Sequence, residues 1–279
     1  MLREKVIHVP GEVEDYEAAQ GLRWSQLKEL RTSPLHFHHH QEHPRQQTAA
    51  MRLGSAVDCA IFEPERFGDR FIVYTESKTT GEGARKRWQE FQKEHAHQSI
   101  LSLEDDQYVT AISSAVLQNQ HARELLEVGR AQVGFTWQDP SGIVGKGKLD
   151  WLTGQTAIVD LKTGARIGEY HLGSHAWELG YFHQFAYYRR GLSVALGCEA
   201  YSIPIFVIAA ETDPPFDVGV LRVDDESLAV ASADVEQLLA KYLDCLERGW
   251  PGQYPDVGML RAPHWALADD LMSVDVEVS

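Results

Sequence analysis

Residues 145–164 read GKGKLDWLTGQTAIVDLKTG, two β-type segments joined through Gly154 and Gln155. A hairpin centred there constrains the fold strongly, because a side-chain period of two assigns every residue to one face or the other. Lys148, Asp150, Ile158, Asp160 and Lys162 fall on one face, and Leu149, Trp151, Val159 and Leu161 on the other. The second face is apolar and suits a core. The first face sets Asp150 opposite Asp160, and like charges directly opposed destabilise a sheet. Lys162 supplies part of the missing positive charge. A divalent ion would supply more, and a set of oxygen ligands favours magnesium (Mg2+), with manganese (Mn2+) as substitute. The plainer alternative is a solvated strand face with an incidental salt bridge.

The rest of the chain places this hairpin in an α/β setting. LRWSQLKELRTSP has Ser25 as a helix N-cap and Pro34 as a stop, and AAMRLGSAVDCAIFEPERF carries Leu53, Val57, Ala60 and Ile61 on one helical stripe. Residues 83–130 are charged and read as two or three helices. From Ala131 the period changes to that of strands, with DPSG and LTGQ as turns. ELGYFHQFAYYRRGLSVALG returns to helical spacing, AYSIPIFVIAAE and FDVGVLRV read as strands, and ESLAVASADVEQLLAKYLDCLERGW as a long amphipathic helix. The expectation is one α/β domain over residues 1–252, with a helical front over 22–130 and a core over 131–250. Residues 253–279 read as a C-terminal tail.

Composition narrows the class. The 279 residues are 43% hydrophobic, enough for a sizeable core, and no run matches a membrane span or a secretory signal. Cys59, Cys198 and Cys245 have no metal or redox spacing and read as buried thiols of a cytoplasmic protein. The net charge of −15 opposes binding to a polyanion by overall attraction. Basic residues are nevertheless grouped at Arg85, Lys86 and Arg87, at Arg123 and Arg130, at Lys146 and Lys148, and at Arg189 and Arg190. These leave room for a basic groove on an acidic body.

The order D-x9-D-x-K at Asp150, Asp160 and Lys162 resembles the PD-(D/E)XK nuclease core. WSQLKELRTSPLHF, MRLGSAVDCAIFEPERF, GKGKLDWLTGQTAIVDLKTG, GYFHQFAYYRRG and AAETDPPFDVGV occur in an order similar to the exonuclease VIII (RecE-type) nuclease domain and its phage-encoded relatives. The likeness runs from about Leu22 to Gly252. It implies a mixed central sheet flanked by helices, Asp150 and Asp160 as metal-binding carboxylates, and Lys162 as catalytic lysine. The Leu161 backbone carbonyl is an additional ligand on this reading. Gln184 and Tyr188 match a Q-x3-Y helix that buttresses the site, and spacing of four puts them on one helical face. Asp58 stands where the family usually has histidine, and reads as a third metal-binding carboxylate. Gln132 stands where relatives often carry glutamate.

Two segments mislead. GIVGKGKL, residues 142–149, approaches a phosphate-binding loop but has Leu149 in place of the hydroxyl residue and leads into a strand, so no helix N-terminus meets the phosphates. ATP binding there is rejected. His36, His39, His40 and His43 have helical metal-binding spacing. Pro34 and Pro44 bracket them tightly, and the segment reads as loop-like with at most adventitious metal binding.

The resulting expectation is a Mg2+-dependent DNA exonuclease acting on linear duplex ends 5′→3′ without ATP, in recombination or phage DNA metabolism. Arg85, Lys86, Arg87, Lys146, Lys148, Arg189 and Arg190 are the candidate backbone contacts. The resemblance further implies a ring-like homo-oligomer and a single-strand annealing protein as partner. A nuclease for single-stranded or flap DNA, and a non-catalytic DNA-binding or assembly module, are the rival readings.

Overall fold

The computed structural model describes residues 9–43 and 46–252, together with 254, 257 and 259–262. Most of the expected tail over 253–279 lies outside the described residues. A six-stranded mixed sheet forms the centre. Its strands are β1 (Leu22–Arg23), β4 (Gly129–Gln138), β5 (Val144–Thr153), β6 (Ile158–Gly164), β7 (Ile205–Glu211) and β8 (Val218–Arg222). The order is β1-β5-β6-β7-β8, with β4 along β5. β6 and β7 run parallel, so the chain crosses over between them through α8 (Glu169–Leu179) and α9 (Tyr181–Leu196).

Each face of the sheet has its own apolar layer. On one, α1 (Trp24–Leu27), α2 (Pro34–Glu42), α9 and α10 (Asp225–Arg248) cover Val133, Phe135, Leu149, Leu152, Ile158 and Val207. On the other, α3 (Ala49–Phe62), α6 (Leu103–Gln118) and α7 (Gln120–Leu126) cover Val159, Leu161, Ile208 and Ala210. Trp151 packs into this second layer. The helices start where local chemistry satisfies their first amides. Thr48 accepts from the Met51 amide at α3, Ser102 and Asp105 form a capping box at α6, and Asp224 accepts from the Ser227 amide at α10.

Several local expectations are corrected. Pro34 does not stop a helix but occupies the first turn of α2 behind the Ser33 cap, and Ser25 lies inside α1. The His36–His43 segment is therefore helical, not loop-like. A four-residue turn of α4 (Phe67–Arg70) leads into β2 (Phe71–Tyr74), which pairs in parallel with β3 (Ser99–Ser102); α5 (Ala84–Glu94) lies between these strands. The all-helical reading of 83–130 missed β3, because four residues are too few for a period to emerge. Gly180, at φ +79°, divides the helical stretch over 178–197 into α8 and α9. Cys59 and Cys245 are buried as expected, whereas Cys198 is exposed. No helix among the described residues is long and apolar enough to cross a membrane.

Candidate active site

The hairpin has the expected register: Trp151 pairs with Val159 and Leu152 with Ile158, which carried one step further sets Asp150 opposite Asp160. The pairing stops there and the strands part. One edge of β5 is covered by β4, while its other edge meets β1 only at Gly145–Lys146 and β6 only at Trp151–Leu152. Residues 147–150 thus border a gap. Across it the Leu161 amide donates to Asp150 Oδ2 at 3.0 Å. In an extended strand a residue's amide and carbonyl leave on the same edge, so the Leu161 carbonyl is directed toward this gap too.

The faces follow the expected division with one correction. Trp151, Val159 and Leu161 share one layer, but Leu149 joins Ile158 in the opposite one. The alternation reverses in β4 at the same level, since Ala131 and Val133 also fall in different layers. Gln132 lies between them with φ +51°, and the β4–β5 ladder omits the Gln132–Asp150 pair. The left-handed residue breaks the pleat, and Asp150 sits at the reversal, not on a regular strand face.

Gln132 Nε2 donates to Asp58 Oδ1 at 2.8 Å. The two positions that depart from the exonuclease VIII pattern are thus direct partners, a donor carboxamide facing an acceptor carboxylate. Burial raises the Asp58 pKa to about 6, with Lys148 and Arg70 opposing the shift and Asp160 adding to it. Asp150 is pushed well above the carboxylate range by burial first, then by Asp160 and Asp58. Burial alone would depress Lys162, but Asp160 and Asp150 outweigh it and hold the ammonium above its ordinary pKa. Lys162 Nζ lies 2.5 Å from Asp160 Oδ2, and over the Tyr181 and Phe185 rings at 4.5 and 5.7 Å. The ammonium and the buried Asp160 carboxylate thus form a close ion pair.

A cleft of about 500 Å³ gathers most of the expected residues: Asp58 from α3, Lys148 and Asp150 from β5, Leu161 and Lys162 from β6, and Gln184 and Tyr188 from α9. Asp160 is buried beside it. Gly147 permits the approach of α9, for a Cβ there would come within 3.2 Å of the Tyr188 ring. Burial pushes the Tyr188 hydroxyl above its usual range. Among the described residues no three His, Cys, Asp or Glu side chains form a ready-made metal cluster. The cleft also holds Arg70, Thr163 and Tyr181, which the sequence reading missed. Arg70 closes α4 in a charged segment whose pattern resembles many solvated turns, so no local signal singled it out.

The basic groups divide sharply. Lys148 lines the cleft, but Lys146 is 1% exposed and donates to the Ala19 and Glu17 carbonyls at 2.8 and 3.3 Å. A backbone contact there is corrected to a structural tie holding the N-terminal segment. Arg189 is buried and pairs with Asp225 at 2.6 Å. Arg190 bridges Asp139 and Glu236 at 2.6 and 2.9 Å. Both hold α9 in place and neither faces the cleft. Arg85, Lys86 and Arg87 are exposed on α5 outside the cleft lining; Lys86 meets Glu90, and Arg87 meets Glu76. On α2, His36 meets Ser33, His39 stacks on His43, and His40 faces Glu29, so the histidines are occupied within their own neighbourhood.

Residues 24–260 match the family described as a PDDEXK-like domain of unknown function (DUF3799). The chain belongs to that family. This PDDEXK-like domain is similar in fold to a "Putative exonuclease" from Eubacterium rectale, with TM-score 0.61 and 17% identity over 94% of this chain and 97% of the other. An alkaline exonuclease (LHK-Exo) from Laribacter hongkongensis aligns over 66% of this chain and 96% of the other at 16% identity, but with a TM-score of only 0.26. No curated protein matches. The mixed sheet flanked by helices, expected from the PD-(D/E)XK resemblance, is the fold observed.

Proposed function

We propose that this PDDEXK-like domain is a divalent-cation-dependent DNA exonuclease, hydrolysing phosphodiester bonds in the cleft between α3 and α9. One observation carries the reading: Asp150, Asp160 and Lys162 converge where β5 and β6 part, setting two carboxylates around a single ammonium. Two carboxylates sharing one ammonium leave net negative charge, which fits a hard cation held by oxygen ligands. Asp150, Asp160 and the Leu161 carbonyl would hold it, with Asp58 completing the set from the opposite wall. Such an ion, when bound, acidifies a water and neutralises charge on a phosphoryl oxygen.

The chain's own groups do the rest. Gln132 fixes the orientation of Asp58, and the Leu161 amide fixes that of Asp150. Lys162, kept charged by its two carboxylate neighbours, meets the negative charge that grows on the phosphoryl group in the transition state. Lys148 and Arg70 supply positive charge at the cleft wall for the phosphate backbone, a contact that orients the strand without reading sequence. The remaining features follow the exonuclease VIII resemblance: linear duplex ends as substrate, 5′→3′ removal without ATP, a ring-like homo-oligomer, and an annealing protein as partner in recombination or phage DNA metabolism.

The test compares linear duplex, circular duplex, flap and single-stranded DNA with magnesium or manganese and no nucleotide cofactor. Shortening of linear duplex from its ends supports the reading. Cleavage confined to flaps or single strands would favour another nuclease specificity, and binding without cleavage would favour a non-catalytic module.

A further inference from the structure

A second cavity, of about 730 Å³, lies between α8, α9 and the β7–β8 pair. Its wall carries the rings of Trp177, Tyr181, Phe182 and Phe185, together with the polar side chains of Glu178, Arg222, Asp224 and Ser227. It adjoins the catalytic cleft, for Lys162 and Tyr181 line both. The Lys162 ammonium, within 6 Å of both the Tyr181 and Phe185 ring centres, stands at the junction.

We propose that this cavity receives the base of the nucleotide next to the cleaved phosphate, unstacked from its strand and held against the aromatic wall. The proposal rests on the nuclease reading above. The volume lies in the range of ordinary ligand sites, roughly 300–1,000 Å³. A free small molecule seated there would crowd Lys162 and hinder the reaction, so the natural occupant is one that arrives attached to the phosphate Lys162 serves. A base fits that requirement. Stacking on aromatic side chains tolerates any base, because every base has a π face, and a sequence-tolerant enzyme needs that tolerance. Drawing a base out of a duplex costs stacking and pairing, least at a frayed terminus, so such a cavity favours DNA ends over interior sites.

Abasic DNA tests this directly. Linear duplexes carrying one abasic residue, walked across the first few positions from the cut end, are compared in kcat/KM with intact duplex. Gly173, within α8, lines the cavity, and a Cβ there meets nothing within 4 Å. Gly173→Phe therefore directs bulk into the cavity from a position whose backbone has room for a Cβ. Wild type should lose roughly ten-fold at one abasic position and little elsewhere. Gly173→Phe should lose a similar factor on intact DNA, show no further abasic penalty, and melt no lower than wild type. Phe182→Leu, which keeps bulk but removes the π face, provides the same comparison if Gly173→Phe does not fold. Equal cleavage of every abasic duplex, or an abasic penalty undiminished in the folded variant, would overturn the proposal. Failure of wild type to cut any DNA would instead overturn the nuclease reading beneath it.

Discussion

The Leu161 amide donates to Asp150 Oδ2 at 3.0 Å across the point where β5 and β6 separate. That bond ties the carboxylate of one strand to the backbone of the other, while Asp160 and Lys162 flank Leu161 on β6. The cluster is assembled by backbone divergence, so single substitutions should disable it without unfolding the protein.

Asp160→Asn and Lys162→Ala should each lower cleavage by roughly 10²-fold or more while leaving the circular dichroism spectrum unchanged. Their effects on metal should differ. Asp160→Asn removes ligand charge and should weaken manganese binding in calorimetry. Lys162→Ala removes the cation competing for Asp160, and should leave binding intact or tighter.

Stability against pH gives a test without substrate. Asp58 and Asp150 bind protons more tightly in the folded chain than in the unfolded one. Their folded-state contribution is therefore most favourable below the unfolded carboxylate pKa, and for Asp58 is lost as pH rises from about 4 through about 6. In chelator, Asp58→Asn should melt close to wild type near about pH 4 and above it near about pH 8. A variant melting below wild type at the higher pH would show that burying the Asp58 charge does not cost the fold stability.

Gln132 can be tested through its amide. Gln132→Glu replaces the donor facing Asp58 Oδ1 by a third acidic group in the cleft. It should lower the melting temperature by a few degrees at neutral pH, with the loss shrinking as the solution is acidified. An unchanged melting temperature at both pH values would separate Gln132 from Asp58 energetically.

Much of this site was legible in the sequence because the determinants are local. The turn at Gly154–Gln155 sets the register that opposes Asp150 to Asp160, and helical spacing of four joins Gln184 to Tyr188. The reversal of faces at Leu149 was not legible, since the left-handed conformation of Gln132 is imposed by long-range packing and no Gly or Asn advertises it. The basic residues were misread for a similar reason. Whether a lysine or arginine faces DNA or a carboxylate depends on partners such as Asp225 and Glu236, which lie 36 and 46 residues from their arginines.

Arg70 and Arg190 both meet a buried carboxylate, Arg70 pairing with Glu63 at 3.0 Å, but only Arg70 also lines the cleft, and the two should behave differently. Arg190→Ala leaves the buried Asp139 short of its main cationic partner and should cost about 3 kcal/mol of stability. It should leave the salt dependence of DNA binding unchanged. Arg70→Ala should weaken DNA binding and reduce the salt slope by about one. Equal salt slopes for Arg70→Ala and wild type would remove Arg70 from the strand path.

If the Asp150–Asp160–Lys162 cluster hydrolyses DNA, it should do so from free ends. The most direct measurement follows linear and covalently closed circular duplex of one sequence, incubated in magnesium without ATP, with wild type and Asp160→Asn purified in parallel. Wild type alone should progressively remove the linear form, leave the circle intact, and show no reaction in chelator. Equal degradation by Asp160→Asn, or undiminished activity in chelator, would contradict that role of the cluster.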